Sequence, residues 1–250
     1  MCDVVQTPRH HENLTVRIYR LTDNPWLFPH PAWAGPDGLL AVGGDLSVER
    51  LVTAYSRGIF PWYSEGEPIL WYSPDPRMVL KLDDFRYAKS LRRVVHSGKF
   101  EVRIDTCFEQ VIRSCAGMSR KGQHGTWITE EMVQAYVRLH EHGFAHSFET
   151  FCQGELVGGL YGVSLGRFFF GESMFHTMTD ASKVAFVRLV EYCRYLGIGL
   201  IDAQQETPHL ASLGARTIPR KDFIQQLQSI TVENTRRMNW GQLNSEVKNL

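Results

Sequence analysis

The sequence predicts an α+β protein, and three patterns carry that prediction. Residues 145–152, 155–164 and 167–175 read as an antiparallel meander of strands, a helix signal follows them, and the short apolar segment 199–204 reads as one more strand. A meander followed by a helix and a further strand is an α+β layer arrangement.

The elements follow in order. Residues 1–13 read as a loose leader. Pro25, Pro29, Pro31 and Pro36 make 24–38 an extended lead-in, because proline fixes φ and lacks a backbone donor. Ser47 is a candidate N-cap for a helix carrying Leu51, Val52 and Tyr55 on one face, with Gly58 at its C-terminal end. Residues 58–77 hold Trp62 and Trp71 among Pro61, Pro68, Pro74 and Pro76, which excludes an ordinary helix or a central strand. So stiff an aromatic segment suits holding flat faces against something flat, such as a nucleobase; otherwise it is a connector whose tryptophans only pack. Residues 100–105 alternate as a strand. Thr106 and Glu109 fit a capping box for a helix bearing Phe108, Val111, Ile112 and Cys115 and ended by Gly117. Thr129 caps another helix, with Glu130 and Glu131 in its positive first turn and Gly143 at its end. Gln153-Gly154 joins the first two meander strands. Thr179 or Asp180 opens a helix of about 17 residues that closes at Gly197. The expected organisation is a small N-terminal α/β domain over 1–75 and a larger domain over 76–250. Acyl-transferring domains of the N-acetyltransferase type share this order of elements.

Composition narrows the function classes. The 250 residues carry 27 Lys plus Arg and 27 Asp plus Glu, so no global field draws the chain to polyanions, and any nucleic-acid contact rests on a local patch. No apolar run reaches the ~20 residues of a membrane span, and the amino terminus lacks a signal peptide's apolar middle, so a cytoplasmic address is expected. Cys2, Cys107, Cys115, Cys152 and Cys193 are scattered without a Cys-x-x-Cys pair, against a disulfide framework and against a zinc site. His140 and His142 would point to nearly opposite sides of a helix and His146 lies past Gly143, so packed or solvated histidines are expected rather than a metal centre.

Several residues could carry chemistry. Asp202 and Gln204 lie two apart on a predicted strand and so project from one face. A carboxylate accepting from the glutamine amide would orient it and leave its oxygen to hold a nucleophilic amine; alternatively, Asp202 only satisfies backbone donors at the strand end. Glu172 follows Phe168, Phe169 and Phe170, a costly place for a charge unless it is paired or functional. Phe169 and Met174 suit a soft apolar pocket or ordinary core packing. The glycine loop from Gly122 to Trp127 does not match the pyrophosphate cradle of coenzyme-A acetyltransferases, which counts against an acyl-CoA donor. Between 86 and 103, Arg86, Lys89, Arg92, Arg93, Lys99 and Arg103 stand against one acid, Glu101. If Ala88 to His96 is helical, Leu91, Val94 and Val95 face inward and the cations outward, as a solvated face or as a track for phosphates.

Together these segments resemble the bacterial leucyl/phenylalanyl-tRNA–protein transferase family. The motifs that carry the resemblance are Phe28-Pro29, the stretch from Gly38 to Ser47, Ala54 to Trp62, Trp71 to Arg77, Gly125 to Thr129, Leu156 to Gly162, Gly171 to Phe175, Asp202-Ala-Gln204 and His209 to Ala215. They run in order over most of the chain. The resemblance implies an acetyltransferase-like catalytic domain behind a small N-terminal domain. It implies transfer of Leu or Phe, and with them Met as a candidate, from aminoacyl-tRNA to proteins that begin with Arg or Lys, marking them for N-end rule degradation. By the same resemblance Trp62 and Trp127 hold the terminal adenine, Leu160, Phe169, Met174 and Ile201 form the side-chain pocket, and Asp202 and Gln204 with nearby Glu172 form the catalytic group. No cofactor, no metal and no membrane partner is implied. An aminoacyl ester is already activated, so aminolysis needs positioning more than strong acid–base power. An acidic subsite must meet the acceptor's Arg or Lys, with Glu172 as the candidate, and Arg86, Lys89, Arg92 and Arg93 are the candidate phosphate patch. The competing readings are a related transferase for acidic amino termini, an acetyl-CoA-dependent N-acetyltransferase, and a non-catalytic RNA-binding module.

Overall fold

The computed structural model describes residues 3–6, 17–118, 126–228 and 234–247. Two sheets organise it. The first, five-stranded, is built from β1 (Asp3–Gln6), β2 (Arg17–Arg20), β3 (Leu39–Val42), β4 (Phe60–Pro61) and β5 (Leu70–Tyr72), in the order β1-β2-β3-β5-β4. Residues 3–6, expected in a loose leader, instead pair antiparallel with β2; the rest of that leader lies outside the described residues. Helix α1 (Val48–Ser56) begins as expected, with the Ser47 hydroxyl accepting the Arg50 N–H.

The second sheet is seven-stranded. Its strands are β6 (Arg77–Lys81), β7 (Glu101–Ile104), β8 (Ala145–Cys152), β9 (Glu155–Leu165), β10 (Phe168–His176), β11 (Leu200–Gln204) and β12 (Arg216–Ile218), in the order β12-β6-β11-β10-β9-β8-β7. The meander β8–β9–β10 is antiparallel, and β11 returns parallel to β10. Gln153 and Gly154 both adopt positive φ, 53° and 85°, the two-residue hairpin turn that matches strand twist.

The helices are α2 (Lys89–His96), α3 (Phe108–Ala116), α4 (Glu130–Glu141), α5 (Ala181–Tyr195), α6 (Pro208–Ser212), α7 (Arg220–Leu227) and α8 (Asn244–Val247), of which α3, α4 and α5 pack on this sheet. Alternation along the strands sends Phe168, Phe170 and Leu200 to a core shared with α1, α3, α4 and the first sheet. Phe169, Ile201 and Leu160 go to the opposite core under α5. The mixed α+β layering predicted from sequence is therefore present. Among the described residues no helix is long and apolar enough to cross a membrane.

Three local expectations change. The Thr106 hydroxyl does not cap α3; it donates to Glu149 Oε2 at 3.0 Å, and α3 starts without a side-chain cap. Glu149, arriving from β8, is a buried acceptor that outcompetes the helix end. Helix α5 opens at Asp180 as expected but spans 15 residues rather than about 17, because it ends at Tyr195 with Leu196 as its C-cap and Gly197 beyond it at a left-handed φ of 72°. Trp71 is fully buried, its indole N–H donating to the Gly43 carbonyl at 2.8 Å, so it is a core residue rather than a platform. The histidines pack: His140 stacks on Phe108, and His146 is clamped between Asp105 and the buried Trp240 of the C-terminal tail. Among the described residues Cys107, Cys115, Cys152 and Cys193 form no disulfide.

Candidate active site

A bulge in the middle of β10 and another at the end of β11 shape the site. The pairing of β10 with β9 shifts between Gly171 and Ser173, and that of β11 with β6 shifts between Asp202 and Gln204. A bulge inserts an unpaired residue and re-aims its side chain. Gln204 pays for this with a left-handed φ of 61°, unusual for a residue other than glycine and a mark of strain at functional positions.

The expected pair is rearranged as a result. Asp202 does not accept from the Gln204 side-chain amide. Gln204 Nε2 instead donates to Glu172 Oε1 at 2.7 Å, while the other oxygen of Glu172 accepts the Tyr136 hydroxyl at 3.0 Å. Tyr136, on α4, is in turn hydrogen-bonded to the hydroxyl of Tyr55 on α1. The bulge between Asp202 and Gln204 breaks the simple two-residue periodicity, so the two side chains part company.

Asp202 is fully buried and closed on Arg77 by two parallel bonds, 2.8 Å from Nε and 2.6 Å from Nη2. Its Oδ1 also accepts the Gln204 backbone N–H at 2.9 Å, so part of the simpler strand-end reading holds. The guanidinium donates its remaining arm to the Gly58 carbonyl and lies over the rings of Phe60 and Phe223, at 4.9 and 4.7 Å.

Glu172 has no such cation. Burial pushes its carboxyl up to about 7, against the opposing pull of the hydrogen bonds from Tyr55, Tyr136 and Gln204; the charge of Asp202 adds to the rise. Burial likewise drives the phenols of Tyr55 and Tyr136 well above their ordinary range, so both stay protonated donors.

Two cavities meet at this group. One, of about 340 Å³, is lined by all four expected pocket residues, Leu160, Phe169, Met174 and Ile201, with Phe186 and Leu189 from α5 closing its floor. The other, about 190 Å³, is a slot bordered by Trp62 and Trp127 together with Phe60, Pro61 and Gln204. Glu172, Ala203 and Thr207 line both, so Glu172 stands in their common wall, with its partner Gln204 on the slot side. Most of the glycine loop before Trp127 lies outside the described residues.

Arg86, Lys89, Arg92 and Arg93 are exposed, with Leu91 of α2 packed on Val184 and Val187 of α5. They line neither cavity. Tyr136, Arg77, Phe186 and Leu189 carried no local signal, since each reads as an ordinary apolar-face or post-proline position. Tyr55 was legible only as part of a helix face.

Two binding spaces joined at one polar wall define a group-transfer type of site. The chain belongs to the leucyl/phenylalanyl-tRNA protein transferase family: the model of that family matches residues 79–228, and the model of its N-terminal domain matches residues 44–75. It is similar to the leucyl/phenylalanyl-tRNA–protein transferase of Myxococcus xanthus, 58% identical over 224 residues that cover 89% of this chain and 96% of that protein. Among solved structures it is similar to FemX, with a TM-score of 0.45 and 11% identity over 72% of this chain and 71% of that one. Another is a GCN5-related N-acetyltransferase-like protein from Streptococcus suis, with a TM-score of 0.34 and 14% identity over 66% and 61%.

Proposed function

We propose that this chain transfers a leucyl or phenylalanyl group from aminoacyl-tRNA to the α-amine of proteins that begin with Arg or Lys, by direct aminolysis of the ester. The observation that carries this reading is the meeting of an aromatic slot and an apolar cavity at the Glu172–Gln204 wall. The terminal adenine stacks on Trp62 and Trp127, an interaction of ~1–3 kcal/mol per base. The aminoacyl side chain fills the cavity, and the ester carbonyl then lies against the wall.

Gln204 commits its amide nitrogen to Glu172, which turns its carbonyl oxygen toward an incoming amine as a hydrogen-bond acceptor. An amide oxygen is too weak a base to take the proton. Glu172, poised near 7 beside an α-amine of pKa ~8, is the group matched to accept it and to pass it to the departing ribose oxygen. The amine nitrogen bonds to the carbonyl carbon as the ester C–O bond breaks, with no covalent enzyme intermediate. Asp202 serves by fixing Arg77 and the Gln204 backbone.

Residues 1–75 and 76–250 act as two domains sharing this site, the first supplying Trp62 and Tyr55. Arg86, Lys89, Arg92 and Arg93 track tRNA phosphates beyond the terminal nucleotide. A cytoplasmic address, and a product whose new first residue marks it for N-end rule degradation, complete the reading. Incubation with labelled Leu-tRNA and peptides beginning with Arg, Asp or Ala tests it: label passes to the Arg peptide alone. Label on the Asp peptide instead would replace the acceptor rule, and label on none would end the proposal.

A further inference from the structure

An acceptor's basic first side chain needs a counter-charge, and neither cavity offers a free one. Of the acids lining them, Glu172 has both oxygens bonded and Asp202 is closed on Arg77. The counter-charge must therefore come from the rim. There the bulge that re-aims Gln204 also ejects the residues after it. The Gln205 N–H folds back onto the Ala203 carbonyl at 2.6 Å, leaving Gln205 and Glu206 exposed. Gln205 and Thr207 both line the tryptophan slot, so Glu206 stands between them on its edge. Among the described residues no ion pair holds the Glu206 carboxylate.

We propose that Glu206 reads the cationic side chain of the acceptor's first residue, an inference that rests on the function proposed above. An amine held by Gln204 places the acceptor's first Cα beside it. From Gln204 to Glu206 the backbone spans at most ~7 Å. Lys carries its charge on a flexible four-carbon stem, and Arg carries a fork of donors that matches a carboxylate, so both reach an acid at that distance. Across the slot the acids beside Trp62 are engaged differently: Glu131 accepts the Tyr63 hydroxyl at 3.0 Å, and Glu67 accepts the Ser64 N–H at 2.9 Å. Glu65 is exposed in the same loop and serves as the comparison acid.

The test measures acceptor KM and kcat with labelled Leu-tRNA for peptides beginning with Arg and with citrulline, its uncharged isostere. Wild type, Glu206→Gln, Glu206→Lys and Glu65→Gln are compared at low and high salt. The pair lies at a solvated rim, so Glu206→Gln raises the KM for the Arg peptide about two- to fivefold. Glu206→Lys raises it about tenfold or more, through like-charge repulsion. Neither change alters the KM for Leu-tRNA, the citrulline peptide is insensitive to Glu206→Gln, and added salt narrows the difference. Equal Arg-peptide KM in wild type and Glu206→Gln overturns the inference, as does an equal loss for both peptides or an effect confined to Glu65→Gln. A wild-type protein that labels no Arg peptide overturns the proposed function along with it, a distinguishable result.

Discussion

Glu172 and Asp202 lie on neighbouring parallel strands at the same junction, both drawn out of water, and they differ in their partners. Asp202 faces a guanidinium that grips it with two bonds. Glu172 faces only the phenols of Tyr55 and Tyr136 and an amide, all neutral. A cation compensates the cost of burying a carboxylate and turns the acid into a fastening. Neutral donors compensate less, which leaves the acid able to gain or lose a proton near neutrality. Burial alone therefore does not separate a structural acid from a reactive one; the partner does.

Breaking the fastening should have the largest effect. Asp202→Asn leaves the Arg77 guanidinium buried and unpaired, at a cost of about 3–5 kcal/mol. For a chain of this length that corresponds to a fall in melting temperature of roughly 6–20 °C. Replacing both partners with apolar residues, Arg77→Met with Asp202→Leu, should recover much of the loss in the same thermal melt. An unchanged Tm in Asp202→Asn would show that the pair fastens nothing.

Removing the titrating acid comes next. Glu172→Gln should lower kcat by ~10²-fold or more and erase the rising limb of the pH–rate profile near 7, with little change in the KM for Leu-tRNA. Stability carries an independent signature. The carboxyl rises from 4.5 to about 7 on folding, so its favourable contribution is complete below pH 4.5 and is lost as pH climbs through about 7. Glu149, pushed up to about 7 chiefly by burial, acts with the same sign. Wild type should thus lose stability between pH 5 and pH 8 in denaturant melts, and Glu172→Gln and Glu149→Gln should each lose less. Slopes indistinguishable from wild type would refute the raised values.

The finest adjustment is Tyr136→Phe, which deletes the hydroxyl that bonds Glu172 Oε2. Losing one donor to the charged form should move the rising limb upward by about half to one pH unit, with a smaller fall in plateau kcat than Glu172→Gln gives. A limb that stays in place would assign the titration to another group.

Much of this arrangement was legible from the chain. The Ser47 and Thr129 caps, the meander and the further strand after it follow from local patterns, and the structure has them; that this last strand runs parallel to β10 was not legible. Leu160, Phe169, Met174 and Ile201 converge on one cavity, while Trp62 and Trp127 converge on one slot. What escaped depends on distant partners. Thr106 looks like a helix cap until Glu149 reaches it across the sheet. Trp62 and Trp71 share a segment, yet the short strand β5 turns one indole into the core while the other borders the slot, and composition cannot tell them apart. The partner of Arg77 lies 125 positions away along the chain. The bulge at Gln204 mattered most, because a two-residue period assumes a regular strand and here the strand ends in a kink.

Arg77 has a mechanical consequence as well. Its guanidinium joins the turn after α1, through the Gly58 carbonyl, to β11, and it lies against Phe223 of α7. A clam-like hinge between the halves would have to give up the Arg77–Gly58 bond and lift Phe60 off the guanidinium, while the ion pair with Asp202, held between neighbouring strands of one sheet, would ride along unbroken.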